Sequence, residues 1–352
     1  MNPSSHSPLT AAPARSAIAP ERGFSLVELM VAMAIGLILM TILATVFANS
    51  SRSQKEITMS AQQVENGRYA IELLSDDLRH AGYYGYYAKS GTAPGTPPDP
   101  CSTSPSDIKD ALPLPVQGYD SAASTPLDCI DSANFVAGTD VLVVRRASTT
   151  VTAPASLNAS AVYIQATPSP TDVNNPIVLL GNGTFNLVVR NGSGANVAAP
   201  IRQIVTHIYY VSPCSNPSGT GGTCTSSDDG GSPIPTLYRK ELTTDAGGTE
   251  FTAYPLVEGI QNFQVEYGLD SDADGSPNSA YVTDPGATTN WQNLMAVRMY
   301  VLARNTQISP GYVDSKTYNL GGTAISGSGS YRRHVYDTLV RLKNPSERRE
   351  TP

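Results

Sequence analysis

Charge is scarce in this sequence: 15% of its 352 residues are Asp, Glu, Lys or Arg, and none falls between Leu29 and Ser51. An uncharged run of 23 residues spans about 35 Å as a helix, enough to cross the hydrocarbon core of a bilayer. Basic residues are outnumbered, 23 Lys and Arg against 30 Asp and Glu, for a net charge of −7. An acidic surface of this kind argues against a grip on nucleic acid driven by phosphate contacts. None of the six lysines follows a glycine, which removes the G-K step of a phosphate loop. There is no H-E-x-x-H, G-x-S-x-G or C-x-x-C, and the four histidines do not cluster with the four cysteines. Nothing in the sequence supports catalysis.

What is present begins at Arg22–Met33, RGFSLVELMVAM. A polar leader ends in Gly23, Phe24 opens the apolar run, and Glu28 is the only charge between Phe24 and Arg52. A carboxylate in a membrane-spanning helix costs roughly 2.5–3.5 kcal/mol at the centre and less near an end, so Glu28 requires a partner. Cleavage after Gly23 would supply one, because the new α-amine on Phe24 is a cation with an ordinary pKa of about 8. It would lie one helical turn from Glu28, or within reach of Glu28 on a neighbouring subunit. Two plainer readings compete: an uncleaved signal anchor, and a secretory signal removed near Val46-Phe47-Ala48. All three place the rest of the chain outside the cytoplasm.

The segment resembles the class III signal of type IV prepilins and pseudopilins. The resemblance implies that Gly23 ends the leader, that a prepilin peptidase cuts before Phe24 and methylates it, and that Glu28 guides the subunit into a filament. A second stretch, Asn66–Tyr87 (NGRYAIELLSDDLRHAGYYGYY), narrows this further. It resembles the end of the long helix in PilW-type minor pilins, which are similar to the J-type pseudopilin of type II secretion. The implied partners are other minor pilins, the major pilin, the inner-membrane assembly platform and a candidate tip adhesin. The implied location is the inner membrane, head in the periplasm, and after assembly the filament or its tip. The expected segments are a leader over 1–23, the N-terminal helix over 24–80 and a β-rich head over 81–352. Losing the leader removes Arg15, Glu21 and Arg22 and leaves a net charge near −8.

Ile57, Ala61, Val64, Ile71, Leu74 and Leu78 follow the spacing of one apolar helix face, so the helix should pack on the head along that stripe. Gly67 and Gly36 read as weak points, and Gly82 ends the pattern. Tyr69, Leu73 and Leu78 are expected to pack under the head, with Arg68, Asp76, Asp77 and Arg79 in local ion pairs or caps. Tyr83, Tyr84, Tyr86 and Tyr87 either cover the seam between helix and sheet or face a partner.

Ala88–Asn134 is rich in Pro, Ser and Thr and reads as a long loop tied by disulfides. Four cysteines at wide spacing in an exported chain imply two disulfides. Three connectivities are open for Cys101, Cys129, Cys214 and Cys224, the neighbour pairing being the simplest; metal ligation is the weaker alternative. Nine β-branched runs then follow between Val141 and Asn344, separated by Gly, Pro, Asn and Ser clusters. The expected fold is α+β: a long N-terminal helix packed on a large antiparallel β-rich head, pilin-like.

Asp270, Asp272, Asp274 and Gly275 form D-x-D-x-D-G, the opening of a calcium loop. Tyr281 stands where an EF-hand has its bidentate Glu, and no helix pattern flanks the motif. A bound Ca2+ and a solvated acidic turn are therefore both open, and no other cofactor is expected. The arginines at 348 and 349 read as part of a solvated tail. Three functions fit the whole: a minor pilin, a J-type pseudopilin, and a membrane-anchored periplasmic binding protein with no filament role.

Overall fold

The computed structural model describes residues 23–87, 92–169, 172, 174–245 and 247–350. The expected leader up to residue 22 lies outside the described residues, as do residues 88–91 of the expected loop. The chain divides into two compact units, Met1–Lys55 and Glu56–Pro352. A single helix, α1 (Leu26–His80), contributes to both.

In the first unit α1 is apolar and exposed on every side, and it is the one described helix long and apolar enough to cross a membrane. Its polar interruptions are absorbed locally. Thr41 Oγ1 donates to the Leu37 carbonyl at 2.8 Å, and Thr45 Oγ1 to the Ile42 carbonyl at 2.7 Å. Neither hydroxyl needs water, which suits a helix in an apolar environment. Gly36 does not interrupt the helix, and neither does Gly67 in the second unit.

Among its described residues the second unit holds 14 strands: β1 (Val116–Ala122), β2 (Thr139–Ala147), β3 (Val162–Gln165), β4 (Ile177–Leu180), β5 (Val188–Arg190), β6 (Asn196–Ala198), β7 (Ile201–Ser212), β8 (Thr236–Asp245), β9 (Gly248–Glu258), β10 (Ile260–Leu269), β11 (Leu294–Arg304), β12 (Thr317–Leu320), β13 (Thr323–Ser326) and β14 (Arg333–Arg341). β1, β2, β7, β3 and β4 follow one another in a seven-stranded sheet, which β8, paired to β7, and β9, paired to β8, complete. A second sheet has the order β10-β11-β14, and β5–β6 and β12–β13 are separate hairpins. All pairings between these strands are antiparallel. The fold is α+β, as expected.

The expected loop over 88–134 is only partly a loop. It contains a short helix, α2 (Pro105–Ala111), and edge strand β1, whose residues pair with Val144 to Thr139 of β2. Pro113 and Pro115 and the Gly and Ser inside β1 hide the strand from an apolar-run reading.

The main core joins both sheets to α1. Ala70, Leu74 and Leu78 meet Leu142 and Val144 of β2, Tyr209 and Val211 of β7, and Phe263, Val265, Val297 and Met299 of the second sheet. The other face of β7 packs Ile208 and Tyr210 under Leu127, Ile130 and Phe135. Both faces are therefore covered, which is why β2 and β7 read as continuous apolar runs and not as alternating ones. Asp140 ties the sheets together: its carboxylate accepts from the N–H of Ser121 and of Val265 in β10, each at 2.7 Å. Burial pushes Asp140 up to about 7 despite those two donors.

The buried stripe of α1 differs from the expected one. Met59, Gln63, Gly67, Ala70, Leu74 and Leu78 are buried, whereas Ile57, Ala61, Val64 and Tyr69 are exposed. Gly67 and Gln63 explain the difference. A Cβ built on Gly67 would lie 2.2 Å from the Tyr336 ring of β14, so this glycine is a point of close contact and not a weak point. One turn earlier, Gln63 Nε2 donates to the carbonyls of Ala303 and Arg332, both at 2.9 Å. A polar and a missing side chain thus make the contacts that an apolar-periodicity reading assigns to Ala61 and Val64.

Candidate assembly site

At the start of α1, Ser25 and Glu28 cap the helix reciprocally. The Ser25 N–H donates to Glu28 Oε2 at 3.0 Å, and the Glu28 N–H donates to Ser25 Oγ at 3.2 Å. This is a capping box, S-x-x-E, which satisfies two of the four N–H groups that a helix start leaves open. The pattern is legible in the sequence as Ser25-Leu26-Val27-Glu28. Gly23 and Phe24 precede the cap, both exposed, with open space around the Gly23 Cα. The expected cleavage junction therefore sits one residue before a self-capped, apolar helix.

At its far end α1 is fixed by Asp77. This carboxylate is buried, and Oδ1 accepts from Arg146 Nε at 2.8 Å. Oδ2 accepts from His207 Nδ1 at 2.7 Å and from the Tyr209 hydroxyl at 2.9 Å. Burial pushes Asp77 up, but the His207 hydrogen bond and the charges of His207 and Arg146 outweigh it and hold the carboxyl well below the usual range. The local pairing expected within 68–79 is thus replaced by a contact to β2 and β7.

The tyrosine run divides. Tyr84 is buried, Tyr83 and Tyr87 pack against the same cluster, and Tyr86 is half-exposed. Backbone bonds from Gly82 N–H to the Arg145 carbonyl and from Ala147 N–H to the Tyr83 carbonyl stitch the run to β2. It covers the seam between helix and sheet.

Both disulfides follow the neighbour pairing: Cys101–Cys129 and Cys214–Cys224, each with Cα atoms 5.7 Å apart.

Asp270, Asp272 and Asp274 do come together, with carboxylate oxygens within 4.8 Å of one another, Asp270 buried and the others exposed. Asp270 is already engaged. Oδ1 accepts from the Ala273 N–H at 2.7 Å, and Oδ2 from the Gly275 N–H and from Arg349 Nη1, both at 2.9 Å. Burial pushes Asp270 up, but Arg349 and the two N–H donors bring it down to about 2. Gly275 has φ +86°, and a Cβ there would meet the Ser346 carbonyl at 2.8 Å. The motif therefore has a structural role in seating the C-terminal helix, Lys343–Glu350. Arg348, which also donates to the Gly82 and Asn344 carbonyls, and Arg349 are accordingly not a solvated tail.

A family profile described as prokaryotic N-terminal methylation motif matches residues 18–44. A second, described as type IV pilus-assembly protein W, matches residues 208–344, from within β7 through β14. Together the two matches support a type IV pilus minor pilin of the PilW family. Among solved structures it is similar to a type IV-like pilin from Thermus thermophilus, at 16% identity over 40% of this chain and 78% of that one. The TM-score is 0.17, so that likeness carries no argument. Comparison with curated protein sequences finds no match.

The likeness to PilW supports a minor pilin role in pilus assembly. That role is structural, and it involves other pilus components. The methylation motif and the apolar half of α1 fit an inner-membrane anchor that is later built into a pilus.

Proposed function

We propose that this PilW-family protein is cut after Gly23 and methylated on Phe24, primes pilus assembly, and sits at or near the filament tip with other minor pilins. Before assembly its head lies in the periplasm. The observation that carries this reading is Glu28: the only charge between Gly23 and Arg52, in an apolar, exposed stretch of helix long enough to cross a membrane. Among the described residues Glu28 is paired only with Ser25. Cleavage places a cationic α-amine on Phe24, and a filament places that amine of one subunit beside Glu28 of the next, away from water, where such a pair gains strength. The large head, residues 81–352, supports a position at the tip. Inserted along a shaft it would have to be accommodated by neighbours above and below, whereas at the tip it meets only those below. The platform, the prepilin peptidase, the major pilin and a tip adhesin are the partners this reading requires. A J-type pseudopilin shares all the chemistry at Gly23, Phe24 and Glu28 and differs in the filament it enters.

The test is a strain lacking the gene, complemented with the wild-type chain or with Glu28→Ala. Pili should be rare without the protein and normal with the wild type. Glu28→Ala should still be cleaved and inserted but fall at least tenfold in sheared pili. Gold-labelled antibody against the head should mark filament ends. Labelling along the shaft, or normal piliation without the gene, would refute the tip and priming role.

A further inference from the structure

The outer face of the main sheet is only partly covered. Between residues 128–134, which carry the Cys129 end of the Cys101–Cys129 bridge, and residues 215–222, which the Cys214–Cys224 bridge encloses, lies a cleft of about 570 Å³. That is within the size range of small-molecule sites. Its floor is a cross-strand row, Tyr210 of β7 opposite Tyr238 of β8 opposite Pro255 of β9, with Lys240 and Ala253 in the next row on the same face.

The lips are held in place before any ligand arrives. Asn134 joins them, Nδ2 donating to the Gly222 carbonyl at 2.9 Å and Oδ1 accepting from the Cys224 N–H at 2.7 Å. The Asp229 carboxylate accepts from the N–H groups of Ser215, Asn216 and Ile234, and Asp228 from those of Ser218 and Thr225. A cleft with prepaid loop ordering loses little entropy on binding.

Several polar groups are left over. The Tyr210 side chain is almost fully buried, yet among the described residues its hydroxyl has no hydrogen-bond partner. Tyr238, by contrast, donates to the Ser215 carbonyl at 2.6 Å. Lys240 Nζ reaches only the Phe251 carbonyl, at 3.4 Å, and forms no ion pair among the described residues. Burial outweighs the nearby Glu250 charge and pulls Lys240 below the usual lysine range, the direction an anion in the cleft would reverse. At the rim, the carboxylate of Asp128 and the carboxamide of Asn216 are likewise without partners among the described residues.

We infer that this cleft binds a small hydroxyl-rich acid, of the class of uronic acids and the ends of acidic oligosaccharides. Its carboxylate meets Lys240 and the Tyr210 hydroxyl, and its hydroxyls meet Asp128 and Asn216. An apolar ligand would strip water from these groups and return no hydrogen bonds, a net penalty. A peptide fits less well: β8 is hydrogen-bonded along both edges, so no strand can add at the floor. The N–H donors of residues 215, 216 and 218 are already taken by Asp228 and Asp229. Recognition therefore falls to side chains, which suits a ligand that offers hydroxyls on all sides. This inference does not depend on the tip position, since the cleft is formed within one chain.

Calorimetric titration of the full chain in detergent tests it, with digalacturonic acid as the probe. Cellobiose serves as a neutral control, glutarate as an acid without hydroxyls, and tetraglutamate as an acidic peptide. Digalacturonic acid should bind saturably, at least tenfold tighter than each control. Lys240→Gln should weaken it at least tenfold and Tyr210→Phe several-fold, with the melting temperature unchanged. If Lys240→Gln unfolds the chain, Tyr210→Phe decides, because it removes only the unpartnered hydroxyl. Absence of heat with digalacturonic acid, equal or tighter binding of any control, or unchanged affinity in Tyr210→Phe would overturn the inference.

Discussion

Replacing Asp77 by Ala removes the acceptor that three donors share at the join between α1 and the main sheet. Arg146, His207 and Tyr209 would each lose a bond of 2.7–2.9 Å. Breaking a buried charge pair by deleting one partner costs about 3–5 kcal/mol, because the remaining charge is left uncompensated. The Arg146 side chain is 22% exposed and can turn to water, whereas that of His207 is 9% exposed and cannot do so readily. The cost should therefore lie toward the lower end. At an unfolding entropy of about 2.1 cal/mol/K per residue, a compact unit of nearly 300 residues loses about 5–6 °C of melting temperature. Near-UV circular dichroism of the full chain in detergent reads this loss, and exposed Asp76→Ala is the control, expected to change little. The pH dependence has a definite sign. Asp77 is held below its unfolded value of 3.8, so its contribution is complete above that pH and is lost as pH falls through it toward the folded value. The gap between wild type and Asp77→Ala should thus be constant near neutral pH and shrink in acid. Equal melting of Asp77→Ala and Asp76→Ala at pH 7 would refute the idea that this carboxylate latches the helix to the sheet.

Gly67→Ala should lower the melting temperature: helix propensity alone favours Ala by about 1 kcal/mol, but overpacking against Tyr336 costs about 1–3 kcal/mol. A rise in melting temperature would show that the ring moves aside freely. Melting with calcium and with chelator should give the same curve, because Arg349 already balances Asp270; a calcium-dependent rise abolished by Asp272→Ala would assign the cluster to the ion.

The strands with unbroken β-branched runs, such as VLVVRR and MAVRMYVLAR, were legible because both faces of those strands are buried. β9 was not: Pro255 and the polar TEFTAY lower its apolar signal, and it is a sheet-edge strand where such residues are tolerated. The buried stripe of α1 was misplaced because Gly67 and Gln63 pack by the absence of a side chain and by hydrogen bonds, neither of which hydrophobic periodicity registers. Asp77 looked like one acid among several. Only the fold brings Arg146 and His207 to it from 69 and 130 residues away. At the N-terminus the reverse holds: Gly23, Phe24 and Glu28 form a local pattern, readable without any tertiary structure. The Asp270 motif is visible in the sequence as a D-x-D-x-D-G cluster, but the burial of Asp270 and its cation partner Arg349, 79 residues downstream, are not.

Intact-mass and N-terminal peptide mass spectrometry of the protein extracted from membranes tests the central claim most directly. The account predicts a chain beginning at Phe24 and carrying one methyl group on its α-amine. A chain that retains the leader, or one that begins at Asn49 after removal of the whole apolar segment, would contradict it.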